Sequence, residues 1–462
     1  TAIRVICFLL VFPTAAQAGD LLRIYKMAQR NDATFNTAQH ARDAALESEP
    51  AARALLLPQL SGSYKETFDH ANTSIGYTDP TTGTPVTLSQ TNGGTDKNLS
   101  VILSQPLFNL ESWYRLMEAG EQTALAQVTY RVAEQSLVLR VSEAYFSVLG
   151  GIDSLRTATA EKSALARQLE LAKQNLPVGQ SSVTDVQDVQ ARYDLSVASE
   201  LDAEQALETA KEALAEITKQ PLLSIAETGS PMETSEANPM PRIAPLRADA
   251  ALPALLPADI SAWIKQADNG HLDVLTALMK YKVAARSVQV AKSAYLPTIS
   301  GTVNYSDQRV EVATFPTKST GVAVGLGLTV PFYSGGATRS AVREAEATRE
   351  ARLAEYDSAH RQAERNTSNA YQSVVTGAAR IRAYKQALIS SRSALEASQT
   401  GLEIGTRSAI DVLNAQQQRY RAERDYDHSR YEYLLSILRL KAAAGQLAAS
   451  DLSEIDALLG PS

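Results

Sequence analysis

The residues that could do chemistry gather at two places along the chain. Thr184, Asp185 and Asp188 open one helical stretch, and Arg407, Asp411 and Asn414 stand at the matching position 226 residues later. A spacing of three puts Asp185 with Asp188, and Asp411 with Asn414, on one helix face. Two readings are open. Such groups cap a helix start and answer its positive end, or they form a polar site whose charge is put to use. Elsewhere the side chains offer little. His40, His70, His271, His360 and His428 lie far apart without ligand spacing, which predicts no metal site. Gly325 and Gly327 lack the third glycine of a dinucleotide loop, and no phosphate loop or G-x-S-x-G elbow occurs. The chain reads as a non-enzyme with no cofactor.

The framework around those turns is bounded by composition. The 462 residues are 21% charged and 44% hydrophobic, which excludes a disordered chain and a multi-span helical membrane protein. A net charge of -7 argues against a nucleic-acid partner. Only 6% of residues are aromatic, with 18 Tyr against 8 Phe, so one thick globular core is not expected. At the start, Arg4 precedes the apolar run Val5-Ile6-Cys7-Phe8-Leu9-Leu10-Val11-Phe12, and Ala16-Gln17-Ala18 follows. That order reads as a secretory signal, 1–18, cleaved after Ala18. Cleavage removes the single cysteine, so export without disulfides or a lipid-anchored cysteine is expected.

The sequence also repeats itself. Val178-Gly179-Gln180-Ser181-Ser182-Val183-Thr184-Asp185-Val186 matches Ile404-Gly405-Thr406-Arg407-Ser408-Ala409-Ile410-Asp411-Val412 at an offset of 226. Glu143-Ala144-Tyr145 matches Asn369-Ala370-Tyr371 at the same offset, and Leu57-Pro58-Gln59-Leu60-Ser61-Gly62 matches Leu296-Pro297-Thr298-Ile299-Ser300-Gly301 at 239. The matches keep their order, so two copies of one unit are expected. The first unit covers 19–218 and the second 259–446. A proline-rich connector, 219–258, lies between them, and a tail, 447–462, follows. Each unit reads as a helix, two strands with a polar loop, and a long helix pair, 109–218 or 335–446. Between 107 and 176 there are 70 residues without proline, enough for a helix of roughly 105 Å. Val186, Val189, Tyr193 and Val197 form a coiled-coil-like seam on the returning helix.

Strands are expected at 59–68, 98–108, 298–307 and 321–332. The last alternates strictly: Val322, Val324, Leu326, Leu328, Val330 and Phe332 are large and apolar, with small or polar residues between. Alternation over about ten residues with terminal aromatics suits a transmembrane barrel, and the export signal favours that over a half-wet soluble sheet. The stretches 69–97 and 308–320 read as exposed loops. Four strands cannot close a barrel in lipid, because open edges leave backbone groups unsatisfied. Several chains must contribute.

Those features together resemble the TolC-type outer-membrane factor family along nearly the whole exported chain. The resemblance rests on the duplicated turns, the strand ends Pro106-Leu107-Phe108 and Pro331-Phe332-Tyr333-Ser334-Gly335-Gly336, the run Gly405 to Ala415, and the ending Gly445-Gln446-Leu447. It implies a membrane α+β fold: a homotrimer in which each chain gives four strands to a twelve-stranded outer-membrane β-barrel, continued by a long periplasmic α-helical barrel. It further implies an export duct working with a periplasmic adaptor and an inner-membrane transporter, ABC or proton-driven. By the same resemblance, Thr184, Asp185 and Arg407 are gate links, and Asp411, Asn414 and Asp188 set entrance selectivity. Val178, Gly179, Gln180, Ile404, Gly405 and Thr406 form adaptor-docking tips. Two departures stand out: Leu402 replaces a family Tyr, and Asn414 a family Asp. The missing lipid-anchor cysteine and the tail Asp451-Leu452-Ser453-Glu454-Ile455 lean towards type I protein secretion. Small-molecule efflux is the alternative, and a secreted non-channel coiled coil is the rival.

Overall fold

A computed structural model describes residues 20–178, 181–219, 243–247, 250, 252–312 and 316–460. The expected signal peptide, and most of the connector, lie outside the described residues. The elements in order are α1 (Asp20–Asn31), α2 (Ala33–Leu46), α3 (Ser48–Ala54), β1 (Gln59–Thr78), β2 (Pro85–Phe108), α4 (Leu110–Asn175) and α5 (Val183–Thr218). Then come α6 (Ile260–Gly270), α7 (Leu272–Ser293), β3 (Thr298–Val312), β4 (Thr317–Thr329), α8 (Ala337–Glu403), α9 (Ala409–Ala443) and α10 (Ala449–Asp456). The chain divides into two compact units, and each takes segments from both halves of the sequence.

One unit holds a four-stranded antiparallel sheet in the order β1-β2-β3-β4. Its register makes the faces unlike. Leu60, Leu103, Val303 and Val324 form one cross-strand row, and Ser63, Ser100, Ser306 and Gly321 form a row on the other face. The apolar face is bare: Val324 is 78% and Leu326 74% exposed. On the polar face the Ser63 and Ser100 hydroxyls lie 2.8 Å apart. β1 and β2 run well past their expected bounds, through most of the stretch read as a loop. That stretch is rich in Thr and Gly. Its ladder is continuous, and a hairpin ladder satisfies its own backbone without any apolar alternation. The true turn is short: the Gly83 amide donates to the Asp79 carbonyl at 2.8 Å, with Gly83 at φ 66°. β3 also extends beyond 307. β4 starts before 321 and stops at Thr329, two residues short of Pro331, which has no N–H for a ladder.

The other unit is helical. Its main core joins Leu21 and Ile24 of α1, Val141, Tyr145 and Leu149 of α4, Leu214 of α5, Leu434 and Leu438 of α9, and Leu452 and Ile455 of α10. A continuous core of this size is more than the sparse aromatics led us to expect. The tyrosine bias has a local cause. Tyr145, Tyr433 and Tyr371 donate their hydroxyls to the carbonyls of Ala244, Pro253 and Ala258, and the Trp263 indole to that of Pro257. These rings pack apolar surface and at the same time satisfy the backbone of an irregular segment. The tail is structural: Asp456 accepts from the first amides of α1, Leu21 and Leu22, both at 3.0 Å. Among the described residues, no helix is long and apolar enough to cross a membrane.

Candidate functional site

The two turns that join the long helices are built alike, both in the helical unit. Ser182 sits before α5 with extended backbone, its hydroxyl accepting from the Asp185 amide at 3.0 Å. Asp185 answers with Oδ2, which accepts from the Ser182 amide at 2.9 Å. Ser408 and Asp411 repeat this capping box at α9, with distances of 3.2 and 2.9 Å. The capping reading is therefore realised for both acids within the chain. The backbone hydrogen bonds from Ser182 and Ser408 hold both carboxyls below the usual carboxylate range, with Arg407 adding a smaller pull on Asp411. Both stay ionised near neutral pH.

The remaining expected residues are placed as follows. The Thr184 hydroxyl lies 2.6 Å from that of Ser182, and Asp188 is exposed on α5. Arg407 is exposed, and its stem lies on Gly401: a Cβ there would stand 2.6 Å from Arg407 Cγ. Among the described residues, no ion pair joins Arg407 to Asp185 or Asp411. Gly405 adopts φ 77°, the left-handed geometry that ends α8, and the Thr406 and Arg407 amides both donate to the Gly401 carbonyl. Val178 and Ile404 are matching apolar tips, 67% and 70% exposed. Gly179 and Gln180 lie outside the described residues.

Several functional-looking residues were not read from the sequence. Arg192 of α5 donates to Asn414 Oδ1 of α9 at 2.8 Å. Beside this bond, Leu165 and Leu169 of α4, Val189 of α5 and Leu413 of α9 form a buried apolar knot. Gly401, which seats Arg407, gave no signal beyond its own smallness. The serines of the two capping boxes were legible as Ser-x-x-Asp. A second polar cluster lies deeper, between α4 and α9. Tyr431 donates to Asp153 at 2.5 Å, and Arg156 reaches both Asp153 (3.1 Å) and Asp427 (3.5 Å). Burial first, and then the Asp153 charge, push the Asp427 carboxyl up to about 6, against the pull of Arg156 and Arg430.

A sheet with one bare apolar face, together with long hairpinned helices, is the architecture of outer-membrane channel folds. Solved structures agree on the fold: the Campylobacter jejuni CmeC outer membrane channel superposes with a TM-score of 0.74, at 18% identity, over 96% of this chain and 90% of its own. The sequence model of the outer membrane efflux protein family matches residues 24–218 and 263–446. The chain belongs to that family, and it is an outer-membrane protein. Among relatives, outer membrane protein TolC of Vibrio cholerae is 33% identical over 96% of this chain and 94% of its own length. Alkaline protease secretion protein AprF of Pseudomonas aeruginosa is 29% identical over 97% and 89%.

Proposed function

We propose that this chain forms the exit duct of an export system, assembled as a homotrimer. The observation that carries this reading is the sheet. Among the described residues its order leaves β1 and β4 as edges without a partner strand, while one face is bare and apolar. Lipid tolerates a closed barrel and not an open edge, and membrane barrels begin at about eight strands. Strands from other copies complete it, and three copies give the family's twelve. The duct is passive. It takes substrate from a periplasmic adaptor seated on the tips around Val178 and Ile404, fed by an inner-membrane transporter. Protein secretion of type I is the favoured pathway, supported by the relative named for alkaline protease secretion.

The gate follows from what each side chain has left to give. Asp185 spends Oδ2 on its capping box, and among the described residues Arg407 makes no ion pair. Across a threefold entrance, Arg407 of one copy can meet Thr184 and Asp185 of the next, in the two-point geometry that guanidinium favours. Asp411 lines the opening with Asp188, focusing a potential that favours cations.

Mass measurement in detergent and planar-bilayer recording test the proposal. We expect a trimer with low basal conductance. Arg407→Ser should raise that conductance, as should Asp185→Asn, which keeps an oxygen for the cap and removes the charge. Asp411→Asn should weaken cation selectivity with little change in basal opening. A stable folded monomer that conducts nothing would end the duct reading. Loss of one secreted protein on deleting the chain, without altered antibiotic tolerance, would favour secretion over drug efflux.

A further inference from the structure

We propose that Arg192 and Asn414 form a second latch of the entrance, in which Asn414 is a structural acceptor and does not act as a selectivity residue. This rests on the duct reading above. Asn414 follows Leu413, which is 2% exposed and fixed in the apolar knot of α4, α5 and α9. That burial sets the rotation of α9 and aims the next side chain. Its carbonyl oxygen is then taken by the Arg192 guanidinium at 2.8 Å. Arg192 itself is half-buried at the rim of a small cavity of about 90 Å³, lined also by Glu161, Leu195, Leu413 and Gln416.

The position matters more than the single bond. Arg192 stands two turns into α5 from Asp185, and Asn414 one turn into α9 from Asp411. The bond therefore crosses from one helix pair to the other behind the turns. Arg407 stands in the turn itself. For α8 and α9 to swing away from α4 and α5, this bond must break and the knot beside it must part. Unlike the Arg407 links, the latch is complete within one chain. It needs no neighbouring copy to hold, so its strength does not depend on the trimer contact. An arginine opposite an amide gives a charge-assisted bond that a brief thermal opening can break, whereas a full ion pair would hold harder.

The test uses the intact trimer in planar bilayers, with Arg192→Ala, Asn414→Ala, the double variant, Asn414→Asp and Arg407→Ser recorded side by side. Each alanine variant should raise basal open probability roughly threefold to tenfold, the range for losing one partly exposed hydrogen bond. The double variant should open no further than either single. Asn414→Asp should hold the pore at least as closed as the unaltered protein, since Arg192 gains a charged partner. Trimer yield should be unchanged throughout. The latch is overturned by single alanine variants that conduct like the unaltered protein while Arg407→Ser opens it, or by single effects that simply add. A rise in cation selectivity with Asn414→Asp, with Arg192→Ala silent, would make Asn414 a lining residue and the latch wrong. Absence of any channel in the unaltered trimer removes the duct reading, and the latch with it.

Discussion

Asp427→Asn should make the helical unit more stable at neutral pH and erase part of its pH dependence. Asp427 and Asp153 share the single guanidinium of Arg156, at 3.5 and 3.1 Å, and the Asp427 side chain is 17% exposed. Tyr431 gives its hydroxyl to Asp153 and not to Asp427. Burial first, and then the neighbouring Asp153 charge, outweigh Arg156 and Arg430 and raise the Asp427 pKa from 3.8 to about 6. A raised acid pKa means that the folded chain binds more protons than the unfolded chain between those two values. The contribution of this group is favourable below about pH 4. It is lost as pH climbs to about 6, and above that the buried charge costs stability. The shift corresponds to at most about 3 kcal/mol, and residual solvent around the carboxylate lowers this to about 1–2 kcal/mol. Asparagine keeps the shape and carries no charge to bury. Helix melting followed by circular dichroism from pH 4 to 8 should show the variant gaining on the unaltered protein as pH rises, with the difference levelling off above about 6.5. A difference that is constant across pH, or largest at pH 4, would refute the account of Asp427.

Three further outcomes test the framework. Arg140→Ala removes the partner of Asp32, which is 4% exposed and held by two guanidinium bonds at 3.1 and 2.6 Å; stability should fall by about 3–5 kcal/mol, seen as a lower melting temperature. Leu326→Arg, on the bare apolar face, should cost about 2–4 kcal/mol if the residue meets lipid at midplane, whereas Ser300→Arg, on the polar face, should change single-channel conductance with normal assembly. Gly445→Ala should abolish folded yield in expression trials, because a Cβ at φ 71° would stand 1.9 Å from the Gly270 carbonyl oxygen, and backbone cannot step aside as a side chain can.

Legibility followed the range of each interaction. The capping boxes were readable because Ser182 and Asp185 are three residues apart and satisfy each other. The strands at 298–307 and 321–332 were readable because one of their faces is apolar along its length, and such a face writes itself as alternation. The same rule explains the miss at 69–97. A hairpin ladder satisfies its own backbone whatever its side chains, so this stretch looks like a loop in the sequence while its backbone pairs. Arg192 was invisible for a different reason. It lies 222 positions from Asn414, and only the burial of Leu413 brings the two together. The gate residues were named by family likeness, and the chain alone contributes the capping geometry that limits what each acid has left to offer.

The two halves of the sequence repeat one grammar; the second buries a small cluster of its own around Trp263, Val374 and Tyr433, yet the main core is shared between the halves. β2 of the first half takes its second partner from β3 of the second. α1 and α4 bury Leu21, Val141 and Leu149 against Leu434 and Leu438 of α9 and Leu452 of α10. Asp456, near the end of the described chain, caps the helix that begins it. In the main core, each half supplies surface that the other covers. In the proposed duct, that division has a mechanical consequence. The contacts that would separate on opening, Arg192 to Asn414 and the knot beside it, join the first half to the second, and so do the deeper contacts of Asp153 and Arg156 with Tyr431 and Asp427. In the proposed duct, opening would be confined to the turns, where the Arg192–Asn414 bond, the apolar knot and the Arg407 links act, while the buried cluster farther along α4 and α9 stays closed.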